Sequence, residues 1–220
     1  MPTTRRPRAP RPPRGTVILL VRHGQTPTTG TILPGRAKGL HLSDAGQNQA
    51  EAAAERIAGL KEVAAVYASP LERARETAAP IAKARGLRVR SERGLLECDF
   101  GEWTGEALKD LAKKPEWGTV QRFPSGFRFP GGESFTEMQA RMVTALGKLA
   151  EAHRGETIVA VSHADPIKAA VAHALGTHLD LFQRIVISTC SISAVLYTAG
   201  GPVVLATNST GDDLTRLVVS

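Results

Sequence analysis

The sequence has only two cysteines, 5% aromatic residues and no long run of apolar residues. Cys98 and Cys190 lack the spacing of a zinc site and are too few for a disulfide framework, so we expect a protein of the reducing cytoplasm. No stretch approaches the roughly 18 consecutive apolar residues that a membrane span needs. The first residues also lack the apolar segment and the cleavage site of a signal peptide. We therefore expect neither a membrane protein nor a secreted one.

The net charge of +7 is concentrated in the first 14 residues. This segment contains five arginines and five prolines and no acidic residue, so a charge of only +2 is left for the other residues. Its prolines oppose a stable helix, and it has no aromatic side chain that could stack on nucleic-acid bases. We predict a disordered tail over residues 1–14, and we rank a nucleic-acid or anionic-surface role well below an extension without function.

At 220 residues with 42% hydrophobic content, the chain suits one well-buried domain better than two. Apolar runs typical of buried strands alternate with amphipathic segments typical of helices, and no internal repeat is evident. This alternation predicts a three-layer α/β sandwich, in which helices flank a mostly parallel central sheet of about six strands. The predicted domain spans residues 15–210, and residues 211–220 form a C-terminal tail.

Local signals place the main elements of this domain. Ser43 has the residue type of a helix N-cap, and the pairs Ser69 with Glu72 and Ser134 with Glu137 have the spacing of a capping box. Each of the three serines therefore predicts a helix that follows it. Further helices are predicted over residues 107–114 and from Asp165 to Gly176. The predicted strands are 16–22, 63–69, 87–90, 157–162, 192–197 and 203–206.

Basic side chains follow three of the predicted strands. Arg22 and His23 end the first strand, and Arg73 lies in the first turn of the helix after the second strand. His163 follows the predicted strand 157–162. Ligands of open α/β sheets bind outside the carboxyl ends of the strands, so we expect these side chains to lie together. The helix dipole disfavours a cation such as Arg73 in the first turn, and a bound anion would offset this cost. Taken alone, Arg22-His23-Gly24 fits an ordinary turn about as well as a catalytic site; the three strand ends together indicate a phosphate site.

Five motifs in series carry a resemblance to a known family. They are Arg22-His23-Gly24-Gln25-Thr26, Ser69-Pro70-Leu71-Glu72-Arg73-Ala74 with Thr77-Ala78, Leu96-Glu97 running to Gly101, Pro130-Gly131-Gly132-Glu133-Ser134 and Val161-Ser162-His163. In this order, between residue 16 and about residue 207, the chain resembles the histidine phosphatase superfamily in its phosphoglycerate mutase-like branch. Segments 97–105 and 178–184 also resemble an actinobacterial group of phosphomutase-like proteins.

The resemblance implies roles for the strand-end residues. His23 would be the nucleophile that forms a phosphohistidine, which water later hydrolyses. Arg22, Arg73 and His163 would surround the phosphoryl oxygens and stabilise the charge of the transition state. We expect His163 to act as a cation, because a neighbouring phosphate dianion favours the charged imidazole.

Glu97 is the general acid and base that the resemblance implies. Such a carboxyl group should lie above the phosphate but outside the cage of arginines, so that its pKa is not driven down. Asp99 and Glu102 on the same loop, and Asp165 near His163, are the alternatives.

The resemblance adds four candidate phosphate contacts: Gly24, Gln25, Thr29 and Ala164. Gly24 would let the backbone approach the phosphate closely. The family often has asparagine at the position of Thr29 and glycine at that of Ala164, so these two positions depart from its pattern. A threonine hydroxyl donates only once and from a shorter arm than an asparagine amide.

Residues 94–133 interrupt the alternation of strands and helices with many turn residues. We expect this insertion to roof the site and to carry specificity. Its aromatic residues are candidates for a lid, although burial beneath the loop is the better expectation for most of them. They are Trp103, Trp117, Phe123, Phe127 and Phe129.

The leading functional expectation is a metal-independent phosphatase that hydrolyses a small phosphomonoester. Arginine and histidine supply the positive charge, no cluster of His, Asp or Glu has metal-ligand spacing, and we expect no cofactor. The expected partner is a small phosphorylated metabolite, and a homodimer is one candidate oligomeric state. A phosphoglycerate-type phosphomutase is the alternative within the family. A non-catalytic phospho-ligand-binding or nucleic-acid-associated protein is the alternative of a different class.

Overall fold

The computed structural model describes residues 15–211 and arranges them around one six-stranded sheet. The strands are β1 (Thr16–Arg22), β2 (Ala65–Ala68), β3 (Val89–Ser91), β4 (Thr157–Ser162), β5 (Ile192–Thr198) and β6 (Gly201–Ser209). Their order across the sheet is β3-β2-β4-β1-β5-β6, with the first four parallel and the last two antiparallel to their neighbours. The predicted sheet is confirmed. The predicted tails, residues 1–14 and 211–220, lie outside the described residues except for Gly211.

Two layers of helices cover the two faces of the sheet. The helices are α1 (Asp44–Ala58), α2 (Glu72–Ala84), α3 (Leu108–Leu111), α4 (Trp117–Arg122), α5 (Phe135–Ala152) and α6 (Ala164–Ala174). Leu19 of β1 packs in a cluster with Ile81 of α2 on one face, and Leu20 packs in a second cluster with Leu146 of α5 on the other. Successive residues of β1 therefore face opposite helical layers, which is the predicted three-layer sandwich. None of the helices within residues 15–211 has both the length and the apolar character of a bilayer span.

Two of the three predicted N-caps are present. The Ser43 hydroxyl accepts a hydrogen bond from the Gly46 backbone N–H at 3.2 Å, where α1 begins. Ser134 and Glu137 form both bonds of a capping box at the start of α5, at 3.2 and 3.0 Å.

The predicted capping box at Ser69 is wrong. Helix α2 begins at Glu72 with Leu71 as its N-cap, and no side chain in the described part of the chain caps it. The Ser69 hydroxyl instead lies 2.9 Å from Nε2 of His163. A tertiary partner therefore takes the side chain that the local pattern assigned to the helix, and Arg73 still lies in the first turn.

Several predicted bounds shift by one to three residues. The second strand is shorter than predicted, and the third begins at Val89 instead of Leu87. The helix predicted over residues 107–114 is confined to α3, and α4, which follows it, was not predicted. Pro115 separates the two short helices, because proline disfavours a helical conformation in the residue before it.

The segment 94–133 is held by an apolar cluster of its own. Phe129 is buried and packs with its ring centroid 4.8 Å from Phe100, 5.0 Å from Phe127 and 5.4 Å from Trp103. The same cluster includes residues of α5 and α6. Of the other lid candidates, Trp117 is partly buried and Phe123 is 55% exposed. Most of these aromatics therefore anchor the segment to the helical layer, as expected.

Candidate active site

Strand β1 brings Arg22 and His23 to the carboxyl edge of the sheet, between β4 and β5. The backbone N–H of His23 continues the parallel ladder by donating to the Ser162 carbonyl at 3.0 Å. The His23 side chain is buried, and its Nδ1 lies 2.7 Å from the carbonyl oxygen of Gly24. A carbonyl can only accept, so Nδ1 carries the proton and Nε2 keeps its free electron pair.

The surroundings of His23 favour the neutral imidazole. Burial, with the nearby cations of Arg73 and Arg22, lowers the pKa of His23 to about 3. At neutral pH the ring is therefore uncharged with an available electron pair on Nε2, which is the form that can attack phosphorus.

Gly24 fixes the backbone beside the nucleophile. Its N–H donates to the Thr77 hydroxyl at 2.9 Å, and that hydroxyl donates to the Arg73 carbonyl at 2.8 Å. A Cβ atom on Gly24 would lie 2.5 Å from the carbonyl oxygen of Gly46 in α1. The close approach that requires glycine here is the packing of α1 against the strand end. The close approach of the phosphate to Gly24 stays a prediction.

Arg22 and Arg73 present buried N–H groups at the same edge. Arg73 is 0% exposed, and its Nη2 donates to the Gly35 carbonyl at 2.7 Å. Arg22 donates from Nη1 to the Ile187 carbonyl at 2.8 Å. Among the described residues, Nε of both arginines and Nη1 of Arg73 are buried with no hydrogen-bond partner. Each buried donor left unpaired costs about 1–3 kcal/mol, so the arrangement is suited to an anion with several acceptor oxygens.

His163 lies against the nucleophile, with the two ring centroids 5.2 Å apart. Its Nε2 is paired with the Ser69 hydroxyl, and its buried Nδ1 has no partner within residues 15–211. Burial, with the cation of Arg73 and the ring of His23, holds the pKa of His163 well below its usual value. The protein's own groups favour a neutral His163, and the cationic form that a neighbouring phosphate dianion would favour stays a prediction.

Glu97 is a buried carboxyl group, 7% exposed, in electrostatic range of both arginines. Burial raises its pKa to about 7, and the carboxylate of Asp165 acts in the same direction. The arginines and the Cys98 N–H, which donates to Oε1 at 2.9 Å, act in the opposite direction. The effect of burial outweighs that of the arginines, so the pKa of Glu97 is not driven down and the group can give or take a proton near neutral pH. The expected position of the carboxyl group, outside the cage of arginines, stays a prediction.

The competing carboxylates have different surroundings. Asp99 accepts from the Gly101 N–H at 3.1 Å and pairs with Arg36, and Glu102 is exposed. Asp165 lies in the first turn of α6 and pairs with Lys168 at 3.3 Å. Glu97 is the most deeply buried of these four acids.

The remaining predicted contacts have mixed placements. The Thr29 hydroxyl accepts from the Thr26 N–H at 2.9 Å, so its oxygen is used within the loop. Gln25 is exposed, and its carbonyl accepts from the Ser43 N–H at 2.9 Å, which ties the loop to α1. Ala164 is the first residue of α6, where free backbone N–H groups favour an anion.

Three residues with a part in the site had no such role in the sequence analysis. Ser69 pairs with His163, Thr77 joins Gly24 to Arg73, and Arg36 donates to the Glu97 carbonyl at 2.9 Å. Thr77 follows Arg73 by one helical turn, and that spacing was the available signal. Nothing local in the sequence indicates the other two.

A pocket of about 430 Å³ lies elsewhere, lined by residues that include Ser125, Gln139 and His173, and it contains none of the predicted site residues. We therefore place the candidate active site at the buried polar cluster of the strand ends and not in this pocket.

Within residues 15–211, no group of three or more His, Cys, Asp or Glu side chains is placed to hold a metal ion.

Comparison with known proteins identifies the family. The model of the histidine phosphatase superfamily (branch 1) matches residues 18–210. The chain is 31% identical over 200 residues to phosphoserine phosphatase 1 of Hydrogenobacter thermophilus, covering 88% of this chain and 92% of that protein. It is 33% identical over 198 residues to a bifunctional protein of Mycobacterium tuberculosis, covering 89% of this chain and 54% of that one. The chain thus spans about half the length of that relative.

The fold agrees with a solved structure. The phosphoserine phosphatase of Entamoeba histolytica, solved with phosphoserine, superposes with a TM-score of 0.79 at 27% identity, covering 89% of this chain and 98% of that one. The five motifs, the sheet order and the family match agree with one another. The chain belongs to branch 1 of the histidine phosphatase superfamily.

Proposed function

We propose that this protein is a phosphatase that hydrolyses a small phosphomonoester through a phosphohistidine on His23. One observation carries the proposal: a neutral His23 with a free Nε2 lies beside buried nitrogens of Arg22, Arg73 and His163 that have no hydrogen-bond partner within residues 15–211. Relatives named as phosphoserine phosphatases support hydrolysis as the reaction.

In the first step, Nε2 of His23 attacks phosphorus in line with the leaving oxygen. The N–P bond forms as the P–O bond to the alcohol breaks, and Glu97 gives its proton to the departing alkoxide. Arg22, Arg73 and His163 donate to the phosphoryl oxygens, where negative charge is spread in the transition state. The Gly24 carbonyl keeps its bond to Nδ1 and stabilises the positive charge that develops on the ring.

In the second step, the Glu97 carboxylate accepts a proton from a water molecule. The resulting hydroxide attacks phosphorus, the N–P bond breaks, and inorganic phosphate leaves His23 with its electron pair restored. One group serves both steps because its pKa of about 7 leaves both protonation states populated near neutral pH.

The guanidinium groups of Arg73, which is buried, and Arg22, which is partly buried, supply the charge that a metal ion would otherwise bring, which supports metal-independent hydrolysis. Phosphoserine is the first substrate to test, because relatives with similar sequences are named phosphoserine phosphatases.

Cys98 and Cys190 are both buried and unpaired, which supports a cytoplasmic location. A homodimer stays a prediction, for which mass measurement in solution is the test.

The direct test is to incubate the purified protein with a panel of phosphorylated metabolites in excess EDTA and to measure phosphate release. We expect release from at least one small monoester, and none from the His23→Ala variant. Release that requires added Mg²⁺ or Zn²⁺ would contradict metal-independent catalysis. Transfer of the phosphoryl group between hydroxyls, without release, would identify a mutase instead.

A further inference from the structure

Arg36 lies between the candidate phosphate site and the loop that carries Glu97. Its Nε donates to the Glu97 carbonyl at 2.9 Å. The carbonyl of its neighbour Gly35 accepts from Nη2 of Arg73 at 2.7 Å. Two consecutive residues thus bind the backbone of the proposed acid and the guanidinium of a proposed phosphate ligand.

The Arg36 guanidinium is fixed by partners on both sides. Its Nη1 lies 3.4 Å from a carboxylate oxygen of Asp99, and its Nη2 lies 2.8 Å from Oε1 of Glu133. Glu133 is also paired with Nε of Arg141 at 3.0 Å, and Arg141 donates to the same Glu97 carbonyl at 3.3 Å. Two arginines therefore bind one carbonyl oxygen, and one carboxylate bridges the arginines.

The backbone before Arg36 has little freedom to move. Gly35 has a φ of +50°, in the left-handed region that favours glycine. A Cβ atom there would lie 2.8 Å from Oγ1 of Thr104 and 3.1 Å from a ring carbon of Phe100. Because both neighbours belong to the segment 94–133, Gly35 and Arg36 are packed against the loop that holds Glu97.

Proton transfer depends closely on where the Glu97 carboxyl group lies. One oxygen accepts from the Cys98 N–H, so the local backbone orients the side chain. A misplacement of about 1 Å at a reacting group can lower a rate by roughly 100-fold. The two arginine bonds to the Glu97 carbonyl therefore act on the step in which the leaving group is protonated.

We propose that Arg36 is a positioning residue that couples phosphate binding by Arg73 to proton transfer by Glu97. The inference rests on the proposed roles of His23 and Glu97 and adds a residue that acts through them.

The test is Arg36→Met, which keeps much of the aliphatic stem and removes the donors and the charge. We expect the phosphorylation rate, measured as the burst of released alcohol, to fall roughly 10- to 100-fold for an alkyl phosphate. The loss should be smaller for p-nitrophenyl phosphate, because nitrophenolate leaves without a proton. A general weakening of the fold would slow both substrates alike.

Arg85→Met is the matched control. Arg85 lies at the end of α2 away from Arg73 and donates to the carbonyls of Ala58, Leu60 and Lys61 at 2.9 to 3.1 Å. Its loss should lower the thermal midpoint and leave the ratio of the phosphorylation rates for the two substrates unchanged.

Should Arg36→Met fold poorly, Arg36→Lys is the second test variant. It keeps the charge toward Asp99 and Glu133 but lacks Nε. It should shift the substrate ratio in the same direction by a smaller factor.

The double variant separates this inference from the proposed function. If Arg36 acts through Glu97, Arg36→Met should cause little further loss for the alkyl phosphate in the Glu97→Gln background. Full additivity, with equal losses for both substrates in Arg36→Met alone, would overturn the coupling. A Glu97→Gln variant that does not distinguish the two substrates would overturn the proposed acid instead.

Discussion

The strand ends and the segment 94–133 differ in what holds their side chains. Arg22, His23 and His163 extend from β1 and β4, whose paired backbones fix them. Glu97 lies in a segment with only short helical turns, held by the aromatic cluster around Phe129 and by the ion pairs around Glu133. In the proposed mechanism, the charge that binds phosphate comes from the regular part of the fold, and the transferred proton comes from the irregular part. The two parts should therefore fail differently when they are altered.

The largest effect is expected at the strand end itself. His23→Ala removes the nucleophile, so turnover should fall by about 10⁴-fold or more. Binding of inorganic phosphate should survive, because the arginines remain. Turnover measured with a sensitive phosphate assay, alongside thermal shifts with phosphate, checks both points. Residual activity within 100-fold of the parent protein would exclude His23 as the nucleophile.

The next effect falls on the irregular segment. Glu97→Gln keeps the size of the side chain and removes the transferable proton, so turnover of an alkyl phosphate should fall by roughly 10²- to 10⁴-fold. Steady-state rates for alkyl and aryl esters provide the measurement, with a smaller loss expected for the aryl ester. Equal losses for both esters would turn attention to Asp99, Glu102 or Asp165.

Arg73→Met should lower the activity of the protein without lowering its stability. Removing one preorganised donor should cost about 10²- to 10³-fold in kcat. The thermal midpoint without phosphate should hold or rise, because a buried guanidinium whose Nε and Nη1 find no hydrogen-bond partner among the described residues is costly to the fold. Added phosphate should stabilise the parent protein and not the variant. A drop of many degrees in the midpoint would mean that Arg73 mainly supports the structure.

The pH dependence of the phosphorylation rate distinguishes the proton of Glu97 from the cations that bind phosphate. Because burial raises the pKa of Glu97 to about 7, its protonated form is lost as the pH rises through that value. For an alkyl phosphate, the phosphorylation rate should fall about tenfold per pH unit above this point. This fall in rate above pH 7 should be absent for an aryl phosphate and in Glu97→Gln. If both esters showed the same fall, it would belong to the titration of another group.

The smallest effect on activity is expected in the aromatic cluster. Phe129→Leu should lower the free energy of unfolding by about 1–3 kcal/mol, since a buried ring loses its neighbours. Turnover should stay within about twofold at temperatures well below the midpoint, because leucine keeps an apolar side chain in the cluster and the folded protein still holds Glu97 in place. Denaturant unfolding together with kcat is the measurement. A large fall in kcat at full folding would show that the cluster also positions Glu97.

The regular half of this comparison could be predicted from the sequence. The pattern of β1 and the basic residues after three strands predict the sheet and its functional edge, because parallel strands share a carboxyl end. The error at Ser69 had a tertiary cause: its hydroxyl pairs with His163, 94 positions away. The assignment of Glu97 came from the family motif. Its burial depends on packing of the whole segment, and its contacts with Arg36 and Arg141 span 61 and 44 positions. No local pattern contains them.

The central claim is that phosphate passes through Nε2 of His23. The most direct measurement is ³¹P NMR with peptide mapping of the Glu97→Gln variant, trapped during turnover of an aryl phosphate. The account predicts an acid-labile, alkali-stable phosphohistidine on His23, linked through Nε2 because Nδ1 is held by the Gly24 carbonyl. The phosphoenzyme should be absent once His23 is also changed to alanine. Phosphate on any other residue, or on Nδ1 of His23, would contradict the account.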